Sequence, residues 1–316
     1  MTLFTIEARE FGWDEIVIAA ERWGEWQELV ETVRQSLACL RLATETRRFP
    51  SEATIREVAT SFRYQHNLIS GEETRAWLER WGMTVEVWTS CLRGRYLREQ
   101  WSAQLTDITS AVHIPDSQVA DALKNYAVCE GKLDDWSQKL AGRAAVAAMS
   151  STLLDGNASS LELITLIEAE FDLKRQQQVT NRLIEAKISN HRLDWVHFQC
   201  RYLWLAEECV AREAAWCVTE DGLTLDEVAV DAKGQVQDWS FYADEIEADV
   251  RPYFLAAGRG DLLGPMKLQK GYPLFSLLNK RMPAADDPQI VTRAEQAIVT
   301  NLLAQAMNEK VKWVHQ

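Results

Sequence analysis

The chain has 316 residues, 47% hydrophobic and 26% charged, with a formal net charge of −13. At roughly 100–200 residues per domain this predicts two or three domains with enough apolar material for proper cores. The acidic balance argues against nucleic acid and anionic membrane surfaces as partners, serves solubility, and attracts basic peptides.

The start, MTLFTIEAREFGWDE, places Glu7, Glu10 and Asp14 too early for a signal peptide. No run of about 18 apolar residues occurs, so no membrane span and a cytoplasmic location are expected. The six cysteines, Cys39, Cys91, Cys129, Cys200, Cys209 and Cys217, form no CxxC pair. They are expected as buried or half-buried thiols in a reducing compartment, with no metal and no cofactor.

Residues 13–45 read as one helix, with Ile16, Ile18, Trp23, Trp26, Leu29, Val30, Val33, Leu37 and Leu40 at threes and fours. Pro50 ends it, and Ser51 caps a helix to about Asn67. Ser70 and Glu73 form a capping box for a helix through Trp77 and Trp81 that Gly82 closes, and Thr84 caps the next. After a break at His113–Asp116, helices are expected around Val119–Tyr126, Leu133–Met149, from Ser159 or Ser160 through Phe171, and over 173–190, with a turn at Asp155-Gly156-Asn157.

At Asp194 the pattern changes. Residues 195–205 are dense in aromatic and β-branched residues and read as a strand. Glu207–Val218 is helical, Thr224 caps a short helix, and Gln235–Tyr242 is a strand. Asp244–Ala257 reads as helix, Pro265 as the start of an edge strand, and Lys270-Gly271 as a turn before a strand at Tyr272–Leu278. A linker over 283–288 precedes a helix at about 288–310 and a strand at Lys310–Val314. The predicted class is α+β, divided at 1–193, 194–283 and 284–316.

The order β-α-α-β-α-β-β after Asp194, with Gly258, Gly260, Gly264-Pro265 and Gly271-Tyr272, resembles the parvulin type of peptidyl-prolyl isomerase. Residues 50–100, with their capped helices, and 288–316 resemble the helical lobe of SurA-like chaperones. The resemblance implies a helical lobe, an isomerase-fold domain, and a C-terminal helix and strand returning to the lobe. It also implies a proline-binding site with two strand histidines and a Met/Phe clamp. Here the histidine positions fall on Tyr202 and Pro273, and the clamp on Ile246 and Val250. His197 has the opposite strand parity to residue 202.

The expected peptide-binding residues are therefore Tyr202, Trp204, Trp239, Phe241, Met266, Tyr272 and Phe275, with Trp239 as groove wall. The resemblance implies a chaperone that holds an extended or unfolded peptide, such as a basic precursor, with weak or absent isomerase activity. Two other readings stay open: an active prolyl isomerase with a rebuilt site, and a docking subunit of a peptide-modification or export complex.

Overall fold

A computed structural model describes residues 2–149, 158–268 and 270–314. The expected turn at Asp155-Gly156-Asn157 lies outside the described residues. The chain divides into two units: Met1–Lys174 with Leu302–Gln316, and Arg175–Asn301.

The first unit is helical around a small sheet. Strands β1 (Thr2–Ile6), β2 (Arg9–Gly12) and β7 (Val311–Trp313) lie antiparallel in the order β2-β1-β7. The strand at β7 was expected; the hairpin was not. Phe4, Ile6 and Phe11 are buried, and the Phe4 and Phe11 rings stack at 4.7 Å. Glu7, with φ 54°, makes the turn without the glycine that marks most tight hairpins.

The single helix expected over 13–45 is two, α1 (Trp13–Arg22) and α2 (Trp26–Thr46). Gly24 divides them at φ 76°. Its N–H bonds to Glu21 and the Glu25 N–H bonds to Ala20, the paired bonds of a Schellman cap. Helices α3 (Glu52–Gln65), α4 (Gly71–Trp81) and α5 (Val85–Gln100) carry the expected caps Ser51, Ser70 with Glu73, and Thr84. Then come α6 (Leu105–Ala111), α7 (Asp116–Cys129), α8 (Lys132–Ala147) and α9 (Ser160–Gln178). A Cβ on Gly142 in α8 would lie 3.0 Å from Leu303, so this glycine lets the chain's last helix pack close.

The second unit opens on α10 (Asn181–Asn190). The continuous helix expected over 173–190 is interrupted, because the Thr180 hydroxyl accepts from the Leu183 N–H and starts a new helix. Next are β3 (His197–Leu203), α11 (Glu208–Thr219), α12 (Leu225–Asp231), β4 (Val236–Tyr242), α13 (Arg251–Ala256), β5 (Leu262–Leu263) and β6 (Leu274–Arg281). This is the expected β-α-α-β-α-β-β order, folded as an antiparallel sheet β4-β3-β6-β5. Helix α14 (Pro288–Lys310) closes the chain; its residues through Asn301 count with this unit. The molecule is α+β.

Two expectations fail here. The helix over Asp244–Ala257 shrinks to α13. Arg293 holds both Asp244 (2.7 Å) and Glu245 (3.1 Å), and Glu245 folds back onto the Tyr242 N–H, leaving Ile246 extended. Pro252 has no N–H and fits only the first turn of a helix, so the helix starts beside it. The edge strand precedes Pro265 instead of starting there: β5 is Leu262–Leu263.

Each sheet face has its own core. On one face Phe198, Cys200, Phe241, Phe275 and Leu277 pack with Phe254 of α13. On the other, Leu203 and Leu274 pack under Ala211 and Ala214 of α11 and Leu225 and Val228 of α12. Arg201 fastens α12 to this second face with two bonds to Asp226, at 2.6 and 2.7 Å, and these hold the Asp226 carboxyl below its usual range.

The cysteines are not all sheltered: Cys209 is exposed and Cys217 half-buried. Burial pushes the Cys39 thiol up to about 11 and the Cys200 thiol up to about 12. Since the thiolate is the nucleophile, brief alkylation of the folded protein at pH 8 is expected to label Cys209 and Cys217 and to spare Cys39, Cys91, Cys129 and Cys200. Peptide mapping by mass spectrometry reads this out, and equal labelling of Cys200 contradicts it.

Candidate peptide-binding face

Antiparallel pairing decides which expected site residues meet. In β3, Phe198, Cys200 and Tyr202 point to the α13 side of the sheet. They pair in β4 with Phe241, Trp239 and Gln237, which share that side. In β6, Tyr202 lies opposite Phe275 and Cys200 opposite Leu277. The result is a joined set of rings. Tyr202 is 6.1 Å from Trp239 and 6.1 Å from Phe275, and Trp239 is 4.0 Å from Phe241 and 5.9 Å from Phe275.

Within this set the roles divide by exposure. Phe241 and Phe275 are buried and form the floor. Trp239 is 37% exposed and stands as a wall, with Tyr202 and Met266 half-buried beside it. Ile246 and Val250, on the segment before α13, pack against the same cluster. An aromatic, largely apolar face with few polar groups is the usual make-up of a small-ligand or side-chain site.

Three expected residues are elsewhere. Trp204 follows β3, and its indole N–H donates to the Lys270 carbonyl at 2.9 Å. Tyr272 packs against the other face, under α11 and α12. Pro273 is buried before β6; the residue opposite Tyr202 is Phe275, two positions on. Gly271 explains the tight path here. At φ 144° a Cβ would meet the Leu205 carbonyl at 2.5 Å, the same oxygen that accepts from the Tyr272 N–H at 2.7 Å.

The polar groups on the ring face are few. The Tyr202 hydroxyl donates to the Gln237 side chain, a partner the sequence reading missed although Gln237, Trp239 and Phe241 share strand parity. Cys200 lies at the floor as a neutral thiol. The described histidines of this unit face away: His191 stacks on Trp195 at 4.8 Å, and His197 Nε2 lies 2.8 Å from Ser240 Oγ on the opposite side of the sheet. Burial holds the His197 imidazole below its ordinary pKa.

No family model matches this chain, and no curated protein matches it. Solved structures do. A PrsA peptidylprolyl isomerase from Bacillus anthracis is 15% identical over 56% of this chain and 88% of its own, at a TM-score of 0.30. The foldase PrsA from Streptococcus pneumoniae is 10% identical over 98% of this chain and 87% of its own, at 0.29. A structure from a pair of SurA-like chaperones of Campylobacter jejuni is 13% identical over 62% of this chain and 82% of its own, at 0.25.

The chain is similar to PrsA and SurA-like chaperones. At TM-scores this low the likeness adds no weight to any account of what the site does. The second unit keeps the β-α-α-β-α-β-β order, with its joined aromatic rings on the sheet face beneath α13. Among the described residues no helix is long and apolar enough to cross a membrane.

Proposed function

We infer that this protein is a SurA-like chaperone whose parvulin-like unit holds an extended peptide without appreciable isomerase activity. The observation that carries the reading is the ring face itself: Trp239 and Tyr202 over a floor of Phe241 and Phe275, with no described histidine among them. X–Pro rotation must cross a barrier of about 18–20 kcal/mol. Lowering it calls for polar groups aimed at the twisting amide. A tyrosine hydroxyl bound to Gln237 and a neutral, buried Cys200 thiol are a poor set for that work, while the rings remain well suited to an apolar or proline side chain.

The favoured client is an unfolded or precursor segment with basic residues near an apolar one. Glu247 and Asp249 are exposed beside Ile246 and Val250 at the edge of the ring face, and the chain carries a net charge of −13. A cytoplasmic location fits this reading and is part of the proposal.

The experiment pairs two measurements on proline-containing tetrapeptides. A protease-coupled assay is expected to give the uncatalysed isomerisation rate. Binding by calorimetry is expected to weaken by about 1–2 kcal/mol, roughly five- to thirtyfold, in Trp239→Ala, as for an aromatic anchor at an interface. Catalysis above background that disappears in Tyr202→Phe would reverse the reading in favour of an isomerase. Unchanged affinity in Trp239→Ala would remove the ring face from peptide binding.

A further inference from the structure

On the sheet face opposite the rings, α11 and α12 leave a pocket of about 180 Å³. Its apolar lining is Val210, Ala214, Leu223, Val228 and Ala232. Glu213 and Asp231 complete it, next to the Cys217 thiol. Ligand and cofactor sites run to roughly 300–1,000 Å³, so this one is too small for them. An apolar cavity of about 150 Å³ takes a benzene ring. One large side chain is therefore the right size of occupant.

Charge narrows the occupant further. Glu213 and Asp231 are both exposed, and neither has an ion pair or a side-chain hydrogen bond among the described residues. Asp221 lies against Cys217 and adds a third carboxylate. The nearby Arg212 is taken up by Glu208 at 2.5 Å. The same two helices also present large apolar groups to solvent: Trp216, 67% exposed and one turn from Glu213, and Val230, 77% exposed and adjacent to Asp231. Single exposed hydrophobics need no explanation, but an apolar hole bordered by Glu213 and Asp231, neither of them in an ion pair among the described residues, with an exposed tryptophan one turn from Glu213, does.

We propose that this pocket is a second docking site, for a partner segment in which an apolar or aromatic side chain lies within a few residues of lysine or arginine. The apolar side chain fills the hole between α11 and α12. The cationic groups meet Glu213 and Asp231, and Trp216 covers the aliphatic stem of one of them, the arrangement in which long basic side chains bury their methylenes and keep their charge in water. The site is independent of the ring face, because the sheet separates them.

Cys217 is a built-in reporter. In the full chain carrying Cys209→Ser, the rate of Cys217 alkylation by N-ethylmaleimide is followed with and without the acetylated, amidated hexapeptide KKLFKK. At a concentration about ten times its Kd, the peptide is expected to slow labelling roughly tenfold by mass action. The peptides EELFEE and KKGGKK are expected to give no protection, since each lacks one half of the match. Glu213→Gln with Asp231→Asn is expected to raise the Kd for KKLFKK about tenfold and to flatten its salt dependence. Both side chains are exposed, so this variant tests binding without disturbing the core. Protection is expected to persist in Trp239→Ala. The proposal is overturned if KKLFKK gives no protection, if EELFEE protects equally, if the charge variant leaves the Kd unchanged, or if Trp239→Ala removes protection, which would assign the binding to the ring face.

Discussion

Phe254→Ala is expected to leave the second unit unfolded or nearly so. Phe254 is fully buried and sits edge-on to both Phe241 and Phe275 at 5.2 Å, with Phe198 at 5.7 Å. Truncating such a ring costs about 3–5 kcal/mol, and whole domains have only about 5–15 kcal/mol. The loss reaches further than one cavity. Helix α13 is six residues long, too short to persist without tertiary contacts, and Phe254 is its buried residue. Freed of that ring, α13 has little to hold it over the sheet, and Ile246 and Val250 lose their support at the site. Urea unfolding followed by tryptophan fluorescence measures the change, with Phe254→Leu as the milder comparison. A loss below about 1 kcal/mol in the alanine variant would mean that the cavity had collapsed at little cost and that this core had been misjudged.

Trp136→Ala is expected to do comparable damage in the first unit, again about 3–5 kcal/mol. Trp136 is 1% exposed, on α8, with Trp26 of α2 against it at 6.0 Å. Its indole N–H donates to Glu25 at 2.6 Å, and Lys139 binds the other oxygen of the same carboxylate. Burial raises the Glu25 pKa, but the bonds from Lys139 and Trp136 outweigh it and hold the group below its usual range. Trp136→Phe keeps most of the apolar area and removes only the donor, so it is expected to cost about 1–2 kcal/mol. Thermal unfolding of the two variants separates the contributions. Equal losses in both would place the whole effect in the hydrogen bond.

Much of the fold was legible because the signals were local. Ser51, Ser70 with Glu73, Thr84 and Thr224 each accept the backbone N–H expected of a cap, and Gly82 takes the left-handed turn expected of it. The misses arose where a distant partner decides the conformation. Asp244–Val250 has an ordinary helical composition, but Arg293, far along the chain, holds Asp244 and Glu245 in a short turn, and the chain is extended at Ile246 before it turns again into α13. The hairpin at Thr2–Gly12 alternates over so few residues that its strands show mainly through the burial of Phe4, Ile6 and Phe11. Gly24 interrupts the run of apolar residues at threes and fours without breaking its spacing, so the division between α1 and α2 shows only in its left-handed backbone.

The site divides in the same way. Strand parity puts Tyr202 with Cys200 and Trp239 with Phe241, so those residues could be grouped by alternation alone. Pairing across strands could not be read so simply. The resemblance places its two histidine positions on Tyr202 and Pro273, but the residue opposite Tyr202 in the hydrogen-bonded register is Phe275. Trp204 and Tyr272 lie just outside their strands, where alternation no longer fixes direction.

The sheet of the first unit also bears on how the chain is made. Strand β1 pairs with β7, so that Phe4 meets Trp313 at 5.4 Å, across a separation of 309 residues. Closing a loop that long costs only a modest entropy, which grows as the logarithm of its length. The delay is the greater burden. At roughly 5–20 residues per second, a ribosome needs on the order of 15–60 seconds to add what lies between them. Arg175–Asn301 is made entirely within that interval, while the edge of β1 that β7 will cover stays open. An exposed strand edge next to buried-type residues such as Phe4 and Ile6 is what aggregation and strand exchange exploit. The chain would thus spend its own synthesis with that edge in need of cover, from its first strand until its last.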